Sequence, residues 1–235
     1  MKNLNIFSLV EEYDNVKSGG LLNVPNVSFV DEDSSVRYLL KKNIPTHNGY
    51  EYVDLGLPSG LKWATCNVGA TSSEQAGLYF AWGETTGYTA DDVTSGVRAF
   101  TEDIYKAGTA ASISTDLTLE QDAAHVNLGG NWRMPTKDEY QELFDNCTCT
   151  WFSSYMGKDV AGRLYTSKVN GNSVFFPAAG RYNGSVVYGV GSLGYYWSSS
   201  WRSSLNAWRL EFTSEFQSVY YYRRYYGELV RGVFK

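Results

Sequence analysis

From residue 49 onward the chain is cut into short apolar runs by turns rich in glycine, and this punctuation constrains the fold more than any other feature. Residues 50–55 (YEYVDL) alternate in polarity, 61–66 (LKWATC) follow the turn at Pro58, Ser59 and Gly60, and 77–82 (GLYFAW) is a further apolar run. Runs of that length between turn residues read as strands. Only two windows keep a helical period. In 117–128 (LTLEQDAAHVNL), Leu119, Ala123, Ala124 and Val126 fall roughly on one side. In 137–146, Thr136 can cap, Glu139 three residues on completes a capping box, and Tyr140, Leu143 and Phe144 form the apolar stripe.

The remainder reads as strand and loop. Residues 88–114, rich in Gly, Thr, Ala and Asp, are expected to form a long surface excursion. The run 174–178 (VFFPA) should be buried, 180–194 a loop or hairpin, and 195–200 a strand. In 208–213, Trp208, Leu210 and Phe212 alternate with Arg209, Glu211 and Thr213, which gives one buried and one wet face. Residues 229–234 close the chain as another strand. The order of elements is an α+β layout. Residues 1–48 read as a β-rich appendage and linker, with short strands in 21–30 and 36–40, and 49–235 as one main domain.

Composition narrows the function. A hydrophobic share of 43% with 19% charged residues suits a folded globular chain. A net charge of −5 and the lack of basic clusters argue against nucleic acid as a partner. No apolar run reaches the length of a membrane span. Glu11, Glu12 and Asp14 break any apolar core near the start, so no signal peptide is expected there. Cys66, Cys147 and Cys149 lack the spacing of a disulfide framework, and with only His47 and His125 beside them no metal site or cofactor is expected.

Aromatic residues are unevenly placed. Twelve of the 32 residues from Tyr195 to Tyr226 are aromatic, interleaved with seven serines and four arginines, Arg202, Arg209, Arg223 and Arg224. Tyr and Trp bring large contact area at low side-chain entropy cost, Arg adds charge and stacking, and Ser adds adaptable hydrogen bonds. Trp197, Leu210 and Phe212 suit a core. By contrast, strict alternation cannot bury Tyr220, Tyr221, Tyr222, Arg223, Arg224, Tyr225 and Tyr226 together, so that run reads as an exposed binding surface.

Several segments resemble the Fibrobacter succinogenes major paralogous domain family: VDLGLPSGLKWAT at 53–65, NVGA at 67–70, YFAWGE at 79–84, DAAHVNLGGNWRMP at 122–135, FPAAG at 176–180, GYYWSSS at 194–200 and GELVRGV at 227–233. The resemblance covers about residues 50 to 235. It implies a C-type lectin fold related to formylglycine-generating enzymes, with two helices on small twisted antiparallel sheets that carry long loops. Members in Bacteroides-type bacteria and their phages serve as variable proteins of diversity-generating retroelements. There the variable positions lie between the Trp-Ser-Ser-Ser strand and the final Val-Arg segment, which here is the window 201–226.

The resemblance therefore implies a non-enzymatic receptor binder, with ligand contacts from Trp201, Arg202, Ser203, Asn206, Trp208, Arg209, Glu211, Thr213, Glu215, Phe216, Tyr220, Tyr221, Tyr222, Arg223, Tyr225 and Tyr226. Its partner would be a protein or glycan on another cell surface. Its place would be a phage particle (virion tail), with residues 1–48 as the docking segment, or alternatively a bacterial cell surface. A homo-trimer would add avidity. Direct membrane insertion is not implied. Randomised AAC codons never give Trp, Glu or Gln, so Trp201, Trp208, Glu211, Glu215 and Gln217 are unvaried positions, products of other codons, or marks of a fixed paralogue. An oxidase of the formylglycine-generating type has no candidate cysteine here, because none follows Cys149. No Ser-His-acid set is evident, His125 beside Asp122 reading as structural, so no catalytic residue is expected. The calcium motifs of animal C-type lectins are missing, and Asp91 with Asp92 read as part of a solvated turn. Asn131, Trp132 and Arg133 are expected to join the helices to a core built on Trp63 and Trp82.

Overall fold

The computed structural model describes residues 28–30, 36–38 and 44–235. Of residues 1–48 it describes 44–48 together with β1 (Ser28–Val30) and β2 (Val36–Tyr38), an antiparallel pair within the two expected runs. The docking role expected of 1–48 falls largely outside the described residues.

From residue 44 the chain is mixed helix and sheet, and mostly sheet. One sheet joins β3 (Thr46–His47), β4 (Tyr50–Asp54), β5 (Lys62–Asn67) and the last strand, β14 (Arg231–Phe234), in the order β14-β5-β4-β3. A second is a three-stranded meander of β6 (Cys147–Phe152), β7 (Gly162–Ser167) and β8 (Ser173–Pro177). The third and largest has the order β10-β9-β11-β12-β13, from β9 (Ala179–Asn183), β10 (Val186–Val190), β11 (Gly194–Trp201), β12 (Asn206–Phe212) and β13 (Gln217–Arg223). Its pairs are antiparallel except β9 with β11, which meet in parallel at Gly180 and Gly194. Gly194 has no substitute there, because a Cβ would lie 2.1 Å from the Phe212 ring.

Among the described residues, four short helices connect these sheets. The window 88–114 is not an open excursion. It forms α1 (Ala90–Thr94) and α2 (Glu102–Ala107), capped by the hydroxyls of Thr89 and Thr101, and it buries Val93, Phe100 and Tyr105. Its polar composition hid three anchors spaced too irregularly to show a period. The helix expected over 117–128 divides at Asp122: a 3-10 turn at Leu119–Gln121 precedes α3 (Ala123–Leu128). Asp122 is buried and caps α3, its carboxylate accepting from the backbone N–H of His125 and of Met134. Because the helix starts only there, Ala123 and Ala124 are buried while Leu119 and Val126 are exposed. The longest helix among the described residues, α4 (Lys137–Asn146), has the expected capping box: Thr136 Oγ1 accepts from Glu139 N–H, and the Glu139 carboxylate accepts from Thr136 N–H at 2.8 Å. It buries Tyr140 and Leu143 against β6, β7 and β11–β13.

Trp63, Trp82, Trp132 and Trp197 are fully buried. Three of their indole N–H groups reach backbone carbonyls: Trp82 to Ser198, Trp132 to His47 and Trp197 to Phe80. The apolar run at 79–82 forms no regular strand. It is threaded instead between Tyr88 and the returning chain, with Phe80 and Glu228 exchanging both backbone bonds and Trp82 N–H donating to Arg224 O. This seam holds residues 224–230 beneath the large sheet and places Glu228 inside.

Candidate functional site: the aromatic face of the large sheet

β12 and β13 form a ribbon in register from Asn206 opposite Arg223 to Phe212 opposite Gln217. Because side chains alternate across a strand, the ribbon deals its residues to two faces. One carries Trp208, Leu210 and Phe212 with Tyr221 and Val219; Leu210 and Phe212 are buried, and Phe212 stacks on Tyr196. At the open end of that face Trp208 and Tyr221 meet edge-on with centroids 5.3 Å apart, and the Arg202 guanidinium lies 5.0 Å from the Tyr221 ring.

The other face carries Ala207, Arg209 and Glu211 with Tyr220 and Tyr222, and the neighbouring β11 adds Tyr195. It is not the wet face that alternation predicts. Arg209 is 2% exposed, and its guanidinium binds the carboxylates of Glu211 and Glu228 while facing the Tyr195 ring at 4.3 Å and the Tyr222 ring at 4.7 Å. Glu228 is wholly buried; one carboxylate oxygen takes Arg209 and the other has no hydrogen-bond partner. Burial pushes its carboxyl up to about 7, against the pull of Arg209 and Arg181 and helped by Glu211. Burial also works against the Arg209 cation, but two carboxylates outweigh it and hold its pKa up.

The expected contact residues thus divide. Arg202, Glu215, Phe216, Tyr220, Tyr222 and Arg223 are exposed. Trp201, Ser203, Asn206, Trp208, Glu211, Thr213, Tyr221 and Tyr225 are half-buried. Ser203 and Thr213 shape turns, their hydroxyls accepting from the backbone N–H of Asn206 and of Glu215 and Phe216. Arg209 and Tyr226 are buried, which corrects their expected place on the surface. The run 220–226 is not exposed throughout, as expected of it, because β13 ends at Arg223 and the chain turns inward. There Arg224, 1% exposed, donates to the carbonyls of Ala110, Ile113 and Ser204 and lies over the Trp82 ring at 4.6 Å.

Three residues of this face were not among the expected contacts: Tyr195, Glu228 and Arg181. Arg181 of β9 lies 4.7, 4.6 and 4.6 Å from the ring centroids of Tyr195, Tyr222 and Tyr226. A cavity of about 220 Å³ adjoins the ribbon beside α2, lined in part by Glu102, Lys106, Leu205, Arg223 and Tyr225. Among the described residues no group of three or more His, Cys, Asp or Glu is arranged to hold a metal, and no helix is long and apolar enough to cross a membrane. No family model, curated protein or solved structure matches the chain.

Proposed function

We propose that this protein is a non-enzymatic receptor binder of C-type lectin fold, of the diversity-generating-retroelement type its motifs resemble. Its β12–β13 ribbon would grip a protein or glycan on another cell surface. The observation that carries this reading is the exposure of Tyr220 and Tyr222, at 46% and 36%, on an edge strand whose inner neighbours are locked. Large rings left in water cost solvation free energy that a core position would recover, so a fold that keeps them out is supported by a gain made elsewhere, in contact with a ligand. The frame beneath is rigid: β11 is buried along nearly its whole length, and Arg209 and Arg224 pin the ribbon from within. Such a division suits an interface in which exposed residues change while the scaffold holds.

The test is a variant with Arg202, Tyr220, Tyr222 and Arg223 all changed to Ser, applied with wild type to arrays of bacterial surface glycans and outer-membrane proteins. Melting within a few degrees of wild type together with lost array binding supports the reading. Binding that survives the fourfold change contradicts it.

A further inference from the structure

Among the described residues Arg181, gathered by three tyrosine rings, has no ion-pair partner. Arg209 has Glu211 and Glu228, whereas among the described residues no carboxylate lies within ion-pair distance of Arg181 and none of its N–H groups has an acceptor. Its Nε is buried and unpartnered. Three tyrosine rings lie 4.6–4.7 Å from the guanidinium carbon, contacts worth about 0.5–2 kcal/mol, and none of them supplies a carboxylate acceptor. A guanidinium in this state lacks the flat, two-oxygen acceptor that its fork geometry fits.

We infer that Arg181 is a preformed receptor for a carboxylate side chain of a partner protein, set in the middle of an apolar docking face. This inference rests on the ligand-binding reading above and adds the chemistry of the partner. Charge complementarity supplies the acid. The surroundings supply the class of partner. Arg181 pairs across the β9–β10 hairpin with Tyr188, and Val186 and Val190 alternate onto the same side. Tyr188, Val186 and Val190 are 49%, 54% and 63% exposed, and residues 184–194 carry no charge. Isolated valines offer little to a hydroxyl-rich sugar ring, whereas a protein patch buries them around a central charge-assisted contact. The glycan remains as an outcome of the test.

A disulfide-closed random nonapeptide library displayed on phage is selected on the full chain and, in parallel, on Arg181→Met. Two controls, Arg181→Lys and the pair Tyr220→Ser with Tyr222→Ser, are measured against the selected peptides, with circular dichroism to confirm folding. The expected result is enrichment of Asp or Glu flanked by apolar residues on wild type only, with affinity falling at least tenfold on Arg181→Met and partly restored by Arg181→Lys. Peptides that depend on Tyr220 and Tyr222 but show no acidic preference would overturn the inference and leave the binding face standing. Peptides indifferent to both the tyrosines and Arg181 would count against the face itself. A glycan array in which uronate- or sialate-bearing sugars bind in an Arg181-dependent way, with no peptide enriched, would overturn the protein partner in favour of a sugar.

Discussion

Arg223 and Arg224 are neighbours in sequence with opposite surroundings, and replacing each by Ala separates display from frame. Arg223 is exposed at the end of β13, and its removal should change stability by less than about 0.5 kcal/mol. Arg224 is 1% exposed. Its loss leaves the carbonyls of Ile113 and Ser204 without a donor, while Ala110 O keeps the Tyr105 hydroxyl and Ile113 N–H. The orphaned Ile113 acceptor, buried, costs about 1–3 kcal/mol, whereas Ser204 is exposed and its carbonyl is open to water; the contact over Trp82 and the cavity left by the buried side chain add up to about 2 kcal/mol each. Relief of the buried cation offsets part of this, so the net loss should be about 3–5 kcal/mol. For a chain of this size that lowers the melting temperature by roughly 10 °C. Differential scanning calorimetry on both variants measures it. Equal, small shifts would refute the claim that Arg224 ties β13 to the 110–113 segment, and with it the separation of frame from face.

Other outcomes follow from the same geometry. Glu228 takes its proton more readily folded than unfolded, because burial raises its carboxyl from 4.5 to about 7. Its contribution to stability is therefore complete below pH 4.5 and lost as the pH rises through 7, by about 3 kcal/mol. Urea titrations of Glu228→Gln across this range should show a flatter profile than wild type, even though the variant weakens the Arg209 cluster; parallel profiles would contradict the assignment. Thr136→Ala removes the α4 capping box and should cost about 1 kcal/mol, read as a small fall in the urea midpoint, and an unchanged midpoint would mean that the cap is redundant. Arg209→Met strands two carboxylates and should destabilise by about 3–5 kcal/mol at pH 7.5, with less loss at pH 5, where Glu228 holds a proton.

What could be read in the sequence depended on how far the deciding contacts lie along the chain. The α4 cap was legible because Thr136 and Glu139 are three residues apart and answer each other. The buried run at 174–178 was legible because it is apolar throughout. The hidden face of β12 was not, because parity gives Arg209 a side but not its surroundings. Its second carboxylate is 19 residues away, on a segment held by pairing with Phe80. Arg224 escaped notice for a different reason: its acceptors are backbone carbonyls, which leave no trace in residue identity. Arg181 sits in a glycine-punctuated segment that reads as a loop or hairpin, and only the fold brings three tyrosines from β11, β13 and the following turn around it.

The central claim, that an exposed aromatic face rides on a fixed frame, is tested most directly by sequencing codons 195–233 across the gene's native population. The account predicts substitutions concentrated at exposed and half-buried positions, among them Arg202, Tyr220, Tyr221, Tyr222 and Arg223, with Ala207, Arg209, Leu210, Phe212, Arg224 and Tyr226 held constant. Substitutions as frequent at Leu210, Phe212 and Arg224 as at Tyr220 and Tyr222 would contradict it.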